Sequence, residues 1–131
     1  MHAETRHEIE DTERSRPHVR LCHRLLREAL ASGCTTVALG RPPEGMPTAR
    51  AERGGSWTPL MEFPPAVYGQ LVDYFKHMAG VTPGQHRAHG TILVRATGRD
   101  ASIALSARQN DQGVDELVLR FPTASTGNAA T

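Results

Sequence analysis

Seven histidines, two cysteines and a single lysine are the residues of this 131-residue chain with the strongest claim to chemistry, and their spacing limits what they can do. Cys22 and Cys34 lie twelve residues apart, whereas structural zinc draws its thiolates from close pairs such as Cys-x-x-Cys. The run His86-Arg87-Ala88-His89 offers two imidazoles three apart, half a zinc site only if both cysteines converged on it. Loop histidines in solvent are the simpler reading, so no metal ligand is expected. Cys22 falls on the apolar face of a helical pattern with His23 pointing away from that face, and free cysteine is among the most buried residue types. Two free, reduced, mostly buried thiols are therefore expected rather than a nucleophile. A phosphate cradle needs glycine-rich backbone and a lysine between strand and helix; here the only lysine, Lys76, lies inside a helical pattern. The stretch Gly40 to Gly45 carries two prolines and no helical pattern follows it, so a dinucleotide fingerprint fails too. No catalytic residue and no cofactor are expected. One stripe remains: Arg20, Arg24 and Arg27 line one side of a helix, a docking patch for an acidic partner or a solvated face in which Arg24 pairs with Glu28.

The elements that must position these residues follow from composition and periodicity. Fifteen basic against fourteen acidic residues remove the electrostatic footprint of a dedicated nucleic-acid or membrane-surface binder. Apolar runs are only a few residues long, and residues 1–16 are charged where a signal peptide needs an apolar core, which points to a cytoplasmic protein without membrane insertion. In that segment Ile9 is the only large aliphatic residue after the initiator, so residues 1–16 read as a charged tail. From residue 18, Val19, Cys22, Leu25, Leu26, Ala29 and Leu30 recur at helical spacing until Gly33. A strand over residues 35–39 follows, then a hairpin turning at Gly54-Gly55. Pro64 and Pro65 open a second helix whose face is Val67, Leu71, Phe75 and Met78, closed by Gly80. The remainder reads as a meander over residues 91–97, 101–107 and 115–121, the last alternating Leu117, Leu119 and Phe121 with Glu116, Val118 and Arg120. Residues 123–131 hold no large apolar side chain and read as a second tail. The expectation is one α/β (α+β) domain over residues 17–122: a mostly antiparallel sheet with two main helices in the order α-β-β-β-α-β-β-β.

The order of motifs resembles a known family. Pro17-His18-Val19-Arg20-Leu21, the run from Leu25 to Gly33, the strand at 35–39, Arg50 with Gly54-Gly55, Lys76-His77-Met78-Ala79-Gly80 and the run from Glu116 to Phe121 occur in the order found in the N-terminal domain of type II secretion and type IV pilus assembly ATPases. The resemblance covers residues 17–122 and implies a PAS-like module that docks on a motor domain within a hexamer and lends arginines to the nucleotide phosphates. The chain departs from it at the polar positions. Thr36 and Ala38 stand where that family has an acid and an imidazole, Thr91 where it has an arginine, and Ile103-Ala104-Leu105-Ser106 lacks a further arginine, with Arg108 as a displaced remnant.

These departures imply a divergent, stand-alone module that keeps the scaffold and has lost the chemistry. The expected role is non-catalytic interaction or regulation, with a secretion or pilus ATPase subunit or a second copy as partner. The candidate surface is Arg20, Arg24, Arg27, Arg50 and Arg108. The alternative is a PAS-like sensor of a small molecule or nucleotide, with a pocket between sheet and helices lined by Trp57, Tyr68 and Phe75.

Overall fold

The computed structural model describes residues 6–9, 15–82, 85–96 and 98–122. The elements are β1 (His7–Glu8), α1 (Pro17–Ser32), β2 (Thr36–Gly40), β3 (Thr48–Arg53), β4 (Ser56–Glu62), α2 (Pro65–Met78), β5 (Ala88–Ala96), β6 (Arg99–Gln109) and β7 (Asp115–Arg120). From α1 onward the order is the expected one. The correction lies at the front: His7 and Glu8, assigned to a charged tail, form a strand that pairs in parallel with β5, and Ile9 is fully buried. A lone aliphatic among charges reads as tail by composition, yet one buried side chain and an open sheet edge are enough to place it. The rest of that tail, residues 1–5 and 10–14, and the whole of 123–131 lie outside the described residues.

Punctuation residues set the helix ends. Pro17 starts α1 with a fixed φ, and Gly33 ends it at φ 75°, a left-handed conformation that costs glycine little. Arg53 then donates to the Ser32 carbonyl at 2.7 Å, placing a cation on the last turn. In α2 the Val81 amide reaches back to the Lys76 carbonyl (2.9 Å) and the Gly80 amide to the His77 carbonyl (3.0 Å), with Gly80 at φ 76°. This paired closure satisfies two carbonyls that the helix leaves over.

The seven strands form one sheet in the order β1-β5-β6-β7-β2-β3-β4, antiparallel except for β1 against β5. Two three-stranded meanders, β2-β3-β4 and β5-β6-β7, meet where β2 pairs with β7, which puts the first strand after α1 in the middle of the sheet. Alternation divides the side chains between two faces. Val37, Leu39, Ile103, Leu105, Leu117 and Leu119 are buried under α1 and α2 together with Leu25, Leu71 and Phe75. Each such side chain contributes about 1.5–3 kcal/mol by leaving water. The end of α2 crosses so close to β5 that a Cβ at Gly90 would collide with the Ala79 carbonyl oxygen. No helix among the described residues is long and apolar enough to cross a membrane.

Candidate functional site

The face of the sheet away from the helices carries the other half of the alternation. Cross-strand register lines its residues up in rows. One runs His89, Ser106, Val118, Ala38, Arg50, Pro59; the next runs Thr91, Ala104, Arg120, Thr36, Glu52, Trp57. The centre is small and weakly polar, and charged side chains stand around it. A cleft of about 670 Å³ opens on this face above β2, where Arg41, Arg50 and Arg108 meet Glu62 and Glu116 around Ala38 and Val118.

Local irregularities aim these side chains. The β3-β4 register shifts between Ala49 and Arg50, so that Ala49 faces Met61 while Arg50 faces Pro59, and Leu60 is the extra residue. Such a bulge bends the strand and redirects its side chains, and Pro59, which has no amide to donate, is tolerated because β4 is an edge strand. Arg108 donates to Glu116 at 3.0 Å, and Asn110 donates to the other oxygen of Glu116 at 3.3 Å. The Asn110 side-chain oxygen in turn accepts the amides of Gln112 (2.8 Å) and Val114 (3.0 Å), so the β6-β7 turn holds Asn110 in place. Arg41, Arg50 and Glu62 reach into the cleft without a hydrogen bond or ion pair to the other described residues. With three arginines against two glutamates, the cleft can hold a carboxylate or another anion without first breaking the Arg108–Glu116 pair.

The five arginines expected to form one surface fall into two groups. Arg50 and Arg108 come together in the cleft. Arg20, Arg24 and Arg27 sit on α1, in the helix layer behind the sheet, and even there the stripe is divided. Arg24 pairs with Glu28 at 2.8 Å, as its spacing allows, while Arg27 turns inward and donates to the Ile9 carbonyl. The departures singled out in the sequence, by contrast, converge. Thr36, Ala38 and Thr91, and Ala104, Ser106 and Arg108 of β6, all belong to the open face.

No family model matches this sequence, and no curated protein matches it. The likeness is one of fold. The chain superposes on the X-ray structure of the Legionella pneumophila ATPase DotB with a TM-score of 0.51 at 14% identity, over 95% of this chain and 35% of that one. The chain thus spans about a third of the length of the structure it matches.

The remaining candidates disperse. His86 lies 3.7 Å from Asp115, whereas His89 shares a 3.1 Å hydrogen bond with Ser106 on the open face, and both are exposed. The His89–Ser106 pair has the reach of a base and a nucleophile, but among the described residues no carboxylate orients the imidazole. Cys22 and Cys34 are free and buried, their thiols directed at the carbonyls of Leu71 and Ala29, and burial pushes the Cys22 thiol well up. A thiol held protonated is a poor nucleophile. Lys76 is only 5% exposed; it donates to the Gln85 carbonyl at 2.9 Å and lies 3.8 Å from Asp115, fastening the loop after α2 to β7.

The pocket expected from Trp57, Tyr68 and Phe75 does not form. Phe75 and Tyr68 are buried on the helix side, the Tyr68 hydroxyl donating to the Asp115 carbonyl at 2.7 Å, while Trp57 lies on the open face at 42% exposure. Residues 57 and 68 belong to an edge strand and a helix on opposite sides of the sheet, a separation that spacing along the chain does not reveal.

One cluster has no counterpart in the sequence reading. His18, His23 and His77 surround Tyr74 with ring centroids 6.0, 5.7 and 6.1 Å away, and His7 of β1 faces His77. His23, placed by its spacing outside the apolar face of α1, is instead only 5% exposed and shares a 3.1 Å hydrogen bond with the Tyr74 hydroxyl. The reason is that α2 covers the flank of α1 as well as its centre. Burial first, then Arg27 and His7, lower the His23 imidazole to about 4, and its Nδ1 is buried without a partner. No group of His, Cys, Asp or Glu among the described residues has the geometry to hold a metal ion. The four histidines come from β1, α1 and α2 at unrelated spacings, so only the fold assembles them.

Proposed function

We propose that this chain is a binding module which docks a partner protein on the open face of its sheet and carries out no reaction of its own. One observation supports the reading above the others: the positions at which the chain departs from the secretion and pilus ATPase N-terminal domains, and Arg50 and Arg108 of the cleft, share the face that no helix among the described residues covers. A face that exchanges an acid, an imidazole and arginines for Thr36, Ala38 and Thr91 while its scaffold is kept is suited to contact, not to phosphate chemistry. The partner in this reading is an assembly ATPase subunit with an acidic, partly apolar surface, met by Arg41, Arg50 and Arg108 around Ala38 and Val118. The likeness to an ATPase structure of which the chain spans about a third agrees with a module that works beside a larger machine.

The test is co-purification with candidate ATPase subunits, followed by titration of wild type and Arg50→Glu. Reversing the central charge should weaken the complex at least tenfold while the thermal midpoint stays unchanged. Binding that is indifferent to Arg50→Glu and to Val118→Arg, or a monomer that captures no ATPase subunit, would sink the reading. The volume of the cleft, about 670 Å³, also suits a small anionic ligand. A nucleotide-dependent thermal shift abolished by Arg50→Ala would favour that second reading.

A further inference from the structure

A strand of two residues has little to hold it to a sheet edge, so what fastens β1 is informative. On the helix side Ile9 is fully buried, and its amide donates to the Arg95 carbonyl at 3.2 Å. His7 pairs with Val94, whose side chain is buried; His7 therefore faces the helices, where it comes close to the Met78 backbone and to His77. Arg27 of α1 donates to the Ile9 carbonyl. On the outer side Arg6 stands 3.4 Å from Asp100, which also accepts from Arg95 at 2.9 Å. Every inner fastening except Ile9 passes through a cation or an imidazole.

We propose that β1 is a proton-operated latch: with the inner-side imidazoles His7 and His23 neutral it closes the β5 edge, and their protonation releases it and bares that edge. His77 of α2 and His23 of α1 act on His7 directly, with Arg27, Tyr74 and His18 next to them on the inner side; Arg95 on β5, Asp100 on β6, and Arg6 and Glu8 on β1 itself stand on the outer side. Only Asp100 and Glu8 among them are acids, and both belong to the outer side, where Asp100 is already shared by two arginines. Each proton taken up on the inner side therefore adds a cation beside Arg27 with no carboxylate of the described residues within ion-pair distance of these imidazoles. Burial and His77 already hold His7 below the usual imidazole range, and His23 is lowered further, so both are neutral at pH 7 and charge up only on acidification. The sheet centre, β2 against β7, has no histidine and so has no local response to this change. The latch sits at the edge and on the helix side, away from the cleft, so its test stands apart from the docking reading.

Hydrogen exchange on the full chain tests it, with protection corrected for the intrinsic pH dependence of exchange. The Ile9 amide should lose at least tenfold more protection between pH 7.5 and 5.0 than the amides of Ala38 and Val118, which report the stability of the whole fold. In the His7→Gln, His77→Gln double variant the Ile9 amide should lose no more protection between pH 7.5 and 5.0 than Ala38 and Val118 do. Should that variant be open at both values, His77→Gln alone, which keeps His7 on the inner side, makes the comparison and should show a smaller loss than wild type. Protection at Ile9 that does not change with pH, a loss shared equally by Ala38 and Val118, or an undiminished loss in the variants would overturn the proposal.

Discussion

The two faces of the sheet are made from the same strands, residue by alternate residue, and they differ in what they ask of water. Under the helices, Leu39, Leu105, Leu117 and Leu119 are closed off together with Phe75, and even an imidazole and a lysine have been drawn in, each held by named partners. On the open face Ala38, Ala104 and Val118 are small, and the arginines around them lie largely in solvent. The difference teaches that stability and contact have been allotted to opposite sides, so that a change on one face should leave the other's property intact.

The strongest way to break this comparison is to truncate one residue on each face. Phe75→Ala, on the closed side, should cost about 3–5 kcal/mol in denaturant unfolding, whereas Val118→Ala should cost under about 1 kcal/mol. Equal costs would mean that something covers the open face.

The next effect is electrostatic and confined to the closed side. His23 is held at about 4 in the folded chain against an ordinary 6.5. Between those values the unfolded chain binds the proton and the folded chain does not, so stability falls as pH drops from 6.5 toward 4 and is fully present above 6.5. The loss by pH 4.5 should be on the order of 2 kcal/mol, measured as unfolding free energy against pH, and His23→Phe should flatten that part of the profile. An unchanged profile in His23→Phe would place the titration elsewhere.

The smallest effect belongs to the cleft. The Arg108–Glu116 pair is largely exposed on the arginine side, and exposed pairs contribute about 0–1 kcal/mol. Arg108→Ala should therefore shift the thermal midpoint by no more than a few degrees while weakening partner binding measurably in the same titration that tests Arg50→Glu.

Much of this fold was legible along the chain because its punctuation is local. Pro17, Gly33, Pro65 and Gly80 mark helix ends through their own backbone preferences, and Gly54-Gly55 turns the hairpin at φ 62° and 84°. Alternation from Leu117 to Phe121 announced a strand with one buried face. What stayed hidden depends on contacts between distant residues. Strand β1 is too short to show a period, and its partners Val94 and Arg95 lie more than eighty residues away. Arg50 and Arg108 are picked out through the family resemblance, Arg108 as a displaced remnant just past the strand expected at 101–107, but only the β2-β7 pairing brings them to one cleft and leaves Arg20, Arg24 and Arg27 behind it. Tyr74 was read as neither core nor site, because its neighbours are assembled by the packing of α1 on α2.

The bulge at Leu60 and the proline beside it have a consequence for how copies of this chain can associate. A sheet grows by adding strands at its two ends, and a filament needs both ends to accept. At β4 the missing amide of Pro59 and the broken register close that end permanently, whatever happens at the other. With β1 released, two copies meeting through their β5 edges would satisfy each other and stop, so strand pairing at that edge should end at a dimer, and crowding the protein under those conditions should raise the yield of pairs without producing fibres.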